Sequence, residues 1–270
     1  IHRGPYMARI CPLFSGSSGN SYYIGSAFAG ILIDAGRTAK QLNAMLEFCG
    51  IEFDAVKAIF VTHEHSDHVK GLRVFASRRH IPVYASSGTL CALEEMGCIN
   101  DKFPADVIDE KGLECADMFI KPFRTSHDSA ESVGYRIQTR DGRIVGFSTD
   151  LGIFSDSVRR ELTGADLVVL ESNHDVGMLQ NGPYPYPLKR RILSDTGHLS
   201  NQACANELYG LAQAGTTRFV LAHLSSENNT PELAYQTSLC SLSLAGLKEG
   251  VDYQLFVAPK ENTAGKVMIF

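Results

Sequence analysis

The chain has 270 residues, 44% of them hydrophobic and 20% charged, with a formal net charge of −5. That balance is the one of an ordinary soluble globular protein, and the length suits one layered α/β domain. It excludes a basic protein that coats nucleic acid, though not a nucleic-acid enzyme, because metal ions and a local basic patch can hold phosphates on an acidic protein.

No apolar run approaches the ~18 residues of a membrane span, and nothing near the start reads as a secretion signal. The cysteines Cys11, Cys49, Cys91, Cys98, Cys115, Cys204 and Cys240 are scattered and form no CxxC pair. Free thiols in a reducing compartment are the simplest reading, so a cytoplasmic location is expected and a cysteine-built zinc site is not. Residues 1–6, ahead of Met7, read as an extraneous leader, and the domain is expected to span 7–270.

Short apolar runs alternate with helical patterns along the chain. Residues 11–14, 21–24 and 30–33 read as strands, the first two joined by the turn Ser15-Gly16-Ser17-Ser18-Gly19-Asn20. Residues 38–49 place Leu42, Met45, Leu46 and Cys49 at helical spacing, with Thr38 as cap and Gly50 as stop. A strand at 55–61 and a helix at 66–79 follow. Further strands are expected at 118–123, 133–139, 144–148, 167–170, 218–222, 254–258 and 267–270, and helices at 155–162, 201–214 and 231–247. Residues 174–200 differ: Pro183, Pro185 and Pro187 alternate with Tyr184 and Tyr186 ahead of Lys189, Arg190 and Arg191, which reads as an excursion or lid.

Two segments echo two others. Residues 56–63 resemble 216–223, and 30–36 resemble 144–152. In each pair an apolar strand delivers a histidine or an aspartate at its C-terminal end. This suggests two facing sheets with metal ligands at one shared edge.

The strongest signal is His63-Glu64-His65-Ser66-Asp67-His68, directly after a strand. Three imidazoles and two carboxylates in six residues need partners, and a polar turn would favour Gly, Asn and Pro. Strand-like alternation turns His63 and His65 to one side, and the next helical turn presents Asp67 and His68. Two such pairs suit two divalent ions. The run is not HExxH, because Asp67 stands where the second histidine would be needed. His127, His198 and His223 flank other strand-like segments, and Asp150 follows the one at 144–148.

In order, Asp34, the HxHxDH run at 63–68, His127, Asp150 and His223 resemble the motifs of the metallo-β-lactamase superfamily. The resemblance covers nearly the whole chain and implies a four-layer αββα sandwich. It also implies two divalent metal ions, zinc, manganese or iron: one held by His63, His65 and His127, the other by Asp67, His68 and His223, with Asp150 between them. Asp34 would support a ligand histidine or anchor the HxHxDH loop.

Three stretches, Phe14 through Ser21, Val61 through His68 and Gly197 through Asn201, are similar to the YycJ/WalJ family. That family is bacterial and cytoplasmic and is associated with 5′-to-3′ exonuclease action on DNA. The segment from Gly197 to His223 also resembles tRNase Z, which implies that His198, paired with Glu171, protonates the leaving oxygen. The resemblance therefore implies attack by a metal-bound hydroxide, with Asp67, His198 and Glu171 as catalytic residues. Substrate contacts are expected from the hydroxyls and amides around Ser17 and Asn20, from Tyr184, Lys189 and Arg190, and from Ser200 and Asn201. A nucleic acid, DNA before RNA, is the expected partner. A hydrolase of a small ester, thioester or cyclic phosphodiester would use the same residues, and a metal-binding regulatory protein is the non-enzymatic alternative.

Overall fold

In the computed structural model, which describes residues 8–270, successive strand residues divide between two apolar faces. The leader expected at 1–6 lies outside the described residues. The first sheet contains β1 (Arg9–Phe14), β2 (Ser21–Gly25), β3 (Gly30–Ile33), β4 (Val56–Phe60), β5 (Val83–Ala85) and β6 (Ala105–Val107). The second contains β7 (Leu113–Cys115), β8 (Met118–Arg124), β9 (Val133–Gln138), β10 (Ile144–Ser148), β11 (Leu167–Glu171), β12 (Arg218–Ala222) and β13 (Gln254–Val257). The last strand, β14 (Met268–Ile269), returns to the first sheet beside β1. The strand orders are β14-β1-β2-β3-β4-β5-β6 and β13-β12-β11-β10-β9-β8-β7.

Each sheet changes from antiparallel to parallel pairing, at β3–β4 in the first and at β10–β11–β12 in the second. Strands buried on both faces read as continuous apolar runs, as the parallel strands β11 and β12 do. Ile31, Ile33 and Phe60 face Tyr135, Phe147, Val169 and Val220 in a middle core. Tyr22 and Phe147 meet edge-to-face across it, with centroids 4.9 Å apart.

Helices cover both outer faces. α1 (Ala39–Phe48), α2 (Ser66–Val69), α3 (Leu72–Ser77) and α4 (Ser87–Glu95) lie along the first half of the chain. Leu42, Leu46, Leu72, Phe75 and Leu93 pack there with Leu13, Leu32, Ile59 and Val83. α5 (Asp156–Leu162), α6 (Val176–Asn181), α7 (Tyr186–Ile192), α8 (Asn201–Gln213) and α9 (Pro231–Leu244) follow. Leu162, Leu208 and Leu242 pack with Val168, Leu170, Phe219 and Leu221. The layers are therefore α, β, β, α, the sandwich that the resemblance implied. No helix among the described residues is long and apolar enough to cross a membrane.

Thr38 caps α1 as its position suggested, its hydroxyl accepting from Gln41 N while Gln41 returns a bond to the Thr38 backbone. The helix expected at 66–79 is instead two helices interrupted at Gly71. The Gly71 N–H bonds Ala35 O at 2.9 Å, and a Cβ there would lie 2.0 Å from Arg37 O. The expected elements leave residues 80–117 blank, although α4 lies there with β5, β6 and β7, three-residue strands too short to show a period. The proline-rich excursion carries α6 and α7; Pro187 falls in the first turn of α7, where its missing N–H has no helical partner to lose.

A web of main-chain bonds ties three loops below the HxHxDH run. Asn20 N donates to Asp67 O at 2.7 Å, Ala35 N to His68 O at 2.7 Å and Gly36 N to Asn20 O at 2.8 Å. The crossing is so close that a Cβ on Gly36 would lie 1.7 Å from Asp67 O. Gly36→Ala is expected to destabilise by about 3 kcal/mol, the upper part of the overpacking range. For a chain of this size that lowers the thermal midpoint by about 6–12 °C. Differential scanning calorimetry checks it.

Candidate metal centre

The C-terminal ends of β3, β4, β10, β11 and β12, with the loop after β8, converge on one edge of the sandwich. Asp34, Asp150 and His223 follow these strands with left-handed backbones, at φ 62°, 56° and 55°. A non-glycine residue there costs about 1–3 kcal/mol and persists where its surroundings hold it. Asp34 N is held by Phe60 O at 2.9 Å and His223 N by the Ser15 hydroxyl at 2.8 Å. The echo between 30–36 and 144–152 thus has a physical basis: both strands end by bending an aspartate into the same edge.

Four of the candidate ligand histidines have Nδ1 engaged by a supporting group. Nδ1 of His63 lies 3.0 Å from the Thr62 hydroxyl, and Nδ1 of His68 lies 2.7 Å from Asp34 Oδ2. Nδ1 of His127 meets Gly197 O at 3.0 Å, and Nδ1 of His223 meets Glu171 Oε1 at 2.8 Å. Each partner fixes the ring and directs Nε2 toward the shared space. There, His127 Nε2 lies 3.3 Å from His65 Nδ1, and the rings of His63 and His65 stand 4.6 Å apart. Asp67 Oδ2 lies 3.5 Å from the Nε2 of both His68 and His223. Asp150 spans the two groups, with Oδ2 3.3 Å from His68 Nε2 and Oδ1 3.8 Å from His127 Nε2.

The donor atoms of His63, His65 and His127 all lie within 4.8 Å of one another, as do those of Asp67, His68 and His223. His63 Nε2 and Asp150 Oδ2 are buried with no hydrogen-bond partner. A buried imidazole nitrogen and carboxylate oxygen left bare are costly unless a cation joins them. Nitrogen and carboxylate donors with supported tautomers are what divalent ions use, so this cluster fits a divalent metal.

The charges point the same way. Burial, together with the imidazoles of His68, His127 and His65, holds His63 well below the ordinary histidine range. Burial opposes charge on His68 and His223 as well, yet carboxylates prevail at both. Asp150, Asp34 and Asp67 raise His68 well above the usual range, and Asp150, Asp67 and Glu171 raise His223 to about 10. Protons and divalent ions therefore compete for these two Nε2 atoms. Metal affinity is expected to rise with pH toward about 10, and loading at pH 7 to release roughly two protons per chain. Titration calorimetry in buffers of different ionisation heat reads that number; proton-neutral loading would contradict it.

Glu171 is fully buried at the end of β11 and takes four donors. Oε1 accepts from His198 Nδ1 at 2.8 Å and from His223 Nδ1 at 2.8 Å; Oε2 accepts from Leu151 N and Leu199 N. Burial alone would raise its pKa, but His198 and His223 hold it below the usual carboxylate range. The sequence paired Glu171 with His198; that it also holds His223 was not foreseen. Asp34, equally buried, accepts from Thr62 N and from the Thr62 hydroxyl at 2.8 Å each, besides His68. Thr62 thereby joins Asp34 to two of the histidines. It was missed because a threonine before a histidine carries no signal of its own.

A cleft of about 210 Å³ opens over the cluster, lined among others by Ser17, Asp67, Tyr184, Arg191 and His198. Five residues expected to touch substrate lie elsewhere or are engaged. Asn20 is buried, its amide bonding Gly16 and reaching Asp67 Oδ2 and His68 Nε2, so it braces the ligand loop. The Lys189 ammonium donates to Gln180 O and Gly182 O at the end of α6, and Arg190 is exposed outside the cleft lining. The Ser200 hydroxyl caps α8 by accepting from Ala203 N. Asn201 is buried in a reciprocal amide pair with Asn229, 2.9 Å each way. The basic residue that faces the cleft is Arg191 instead.

A profile of the beta-lactamase superfamily domain matches residues 30–224. The chain is 39% identical to the exodeoxyribonuclease YycJ of Bacillus anthracis, over 90% of this chain and 92% of that one. It is 36% identical to the exodeoxyribonuclease WalJ of Streptococcus pneumoniae, over 90% and 91%. The metallo-β-lactamase fold protein YhfI from Bacillus subtilis superposes with a TM-score of 0.72 at 16% identity, covering 97% of this chain and 99% of its own. The short form of human tRNase Z gives 0.60 at 17% identity, over 96% and 98%. These two likenesses concern the fold. With its sandwich, its supported histidines and these relatives, the chain belongs to the metallo-β-lactamase superfamily, alongside the YycJ and WalJ exodeoxyribonucleases, and is a metal-dependent hydrolase.

Proposed function

We propose that residues 7–270 act as one domain, a cytoplasmic two-metal exonuclease that removes nucleotides from the 5′ end of DNA. The observation that carries this reading is the His198–Glu171 pair, 2.8 Å apart, beside the ligand cluster. A phosphodiester leaves as a poor alkoxide, so a positioned acid matters there, whereas an activated ester or thioester departs without one. The names of the YycJ and WalJ relatives support DNA as substrate.

In this reading His63, His65 and His127 hold one ion, Asp67, His68 and His223 the other, and Asp150 serves both. Two divalent ions, zinc, manganese or iron, supply Lewis acidity that activates water and neutralises phosphoryl oxygens. The remaining work belongs to the chain. Asp67 has 24% of its side chain exposed, against 3% for Asp150, so of these two carboxylates it is the one better placed to orient the attacking water. Glu171 fixes His198 by its Nδ1 and leaves Nε2 to hand a proton to the departing oxygen. Asp34 keeps His68 in register through Nδ1.

The test is digestion of single- and double-stranded DNA and RNA, labelled at either end, across a panel of divalent metals. Early release of the 5′ label from DNA as mononucleotide is the expected result. Internal cutting, a preference for RNA, or turnover of small esters alone would replace the reading.

A further inference from the structure

One wall of the cleft is α7 and the turn before it, which contribute Tyr184, Leu188, Arg191 and Ile192. Among the described residues lining the cleft, Arg191 is the only lysine or arginine, facing the carboxylates of Asp67 and Asp150. Its guanidinium is docked on Asp128, with Nε donating to Oδ2 and an Nη2 bond to Oδ1 of 2.9 Å. Asp128 directly follows His127, and its Oδ1 lies 3.5 Å from His127 Nε2. The guanidinium is thus parked beside the ligand cluster by a carboxylate that borders it.

Both members of the pair remain open to water, at 45% and 32% side-chain exposure. An ion pair in that setting is weak and readily exchanged. The fork that grips a carboxylate by two N–H groups fits two phosphate oxygens equally well. A phosphodiester offers the same single charge as Asp128 on two oxygens, and it arrives where the other cleft carboxylates would repel it. Arg191 offsets that repulsion, while Lys189, on the same helix, has its ammonium occupied by main-chain carbonyls.

We propose that Arg191 is the residue by which the cleft grips a substrate phosphate, and that Asp128 holds its guanidinium in place until the phosphate takes over. This rests on the phosphodiesterase reading above. Asp128 acts as a competitor for the guanidinium, so the two residues have opposite effects on substrate affinity. A purely structural strap between α7 and the His127 loop would give them the same effect.

The experiment compares wild type, Arg191→Ala, Arg191→Lys and Asp128→Asn, each metal-loaded and checked for metal content and thermal midpoint. Binding is read by fluorescence anisotropy with an oligothymidylate joined by phosphorothioate links, which keep the charge and resist hydrolysis, at several salt concentrations. Arg191→Ala is expected to weaken binding about tenfold or more and to flatten the slope of log affinity against log salt by about 0.7, the share of one phosphate on a single strand. Arg191→Lys should recover the slope and only part of the affinity, since charge returns without the fork. Asp128→Asn should tighten binding, and in turnover of unmodified DNA lower KM more than it changes kcat.

Weaker binding in both Arg191→Ala and Asp128→Asn with an unchanged salt slope would overturn the proposal in favour of the strap. Tight, Arg191-dependent binding without cleavage of natural DNA would instead retain the grip and remove the exonuclease reading.

Discussion

His198→Ala is expected to leave the metal content intact and to lower turnover of an ordinary phosphodiester by roughly 10²–10⁴-fold, the range of general acid catalysis. The geometry gives the reason. His198 sits just before the cap of α8, and Nδ1 is taken by Glu171 Oε1 at 2.8 Å. The same oxygen holds His223, so one buried carboxylate sets both the proposed acid and a candidate metal-site histidine in place. On an ester with a nitrophenolate leaving group the loss should be far smaller, because that group departs without a proton. Steady-state rates on the two substrates, with metal content measured alongside, make the comparison. Equal losses on both, or loss of metal, would show that His198 serves another purpose.

Asp150→Asn should fold normally yet bring turnover of any substrate close to background, a loss of about 10³-fold or more. The amide has the shape of the carboxylate without its charge. In the native cluster Oδ2 has no hydrogen-bond partner, while Oδ1 lies 3.5 Å from His223 and Oδ2 3.3 Å from His68. No other carboxylate lies this close to both ligand sets, among the described residues. Circular dichroism and a thermal midpoint near the native value establish folding, and turnover and metal content are then read on the same sample. Retention of full metal content and most activity would show that Asp150 does not serve both ligand sets.

Much of this site was legible in the sequence because its residues carry chemistry that costs too much to bury idly. Three histidines and Asp67 packed after a strand announce a ligand cluster, and the structure brings their atoms together, while Glu64 turns away to accept from Ala130 N. The strands that deliver them were legible for a related reason: β10 and β12 are buried on both faces and read as unbroken apolar runs, so their bounds agree with the expected 144–148 and 218–222. What the sequence hid depends on folding geometry. Asn20 and Asn201 look like free polar groups near a motif, but the loop web and an amide pair consume them. The three consecutive basic residues of α7 are indistinguishable by type. Only helical phase decides that Lys189 ends on the carbonyls of α6 while Arg191 turns into the cleft. The same applies to Gly71, whose backbone contact with Ala35 and Arg37 breaks a helix that periodicity alone would continue.

Two divalent ions are proposed to sit in this cluster, each on its own ligand set. Elemental analysis of the protein, reconstituted with excess zinc or manganese and freed of unbound metal, addresses this most directly. Native protein is expected to carry about two ions per chain, and His63→Ala or Asp67→Ala to carry about one, each substitution emptying its own set. A firm content of one ion in the native protein, unchanged in Asp67→Ala, would contradict the two-metal account.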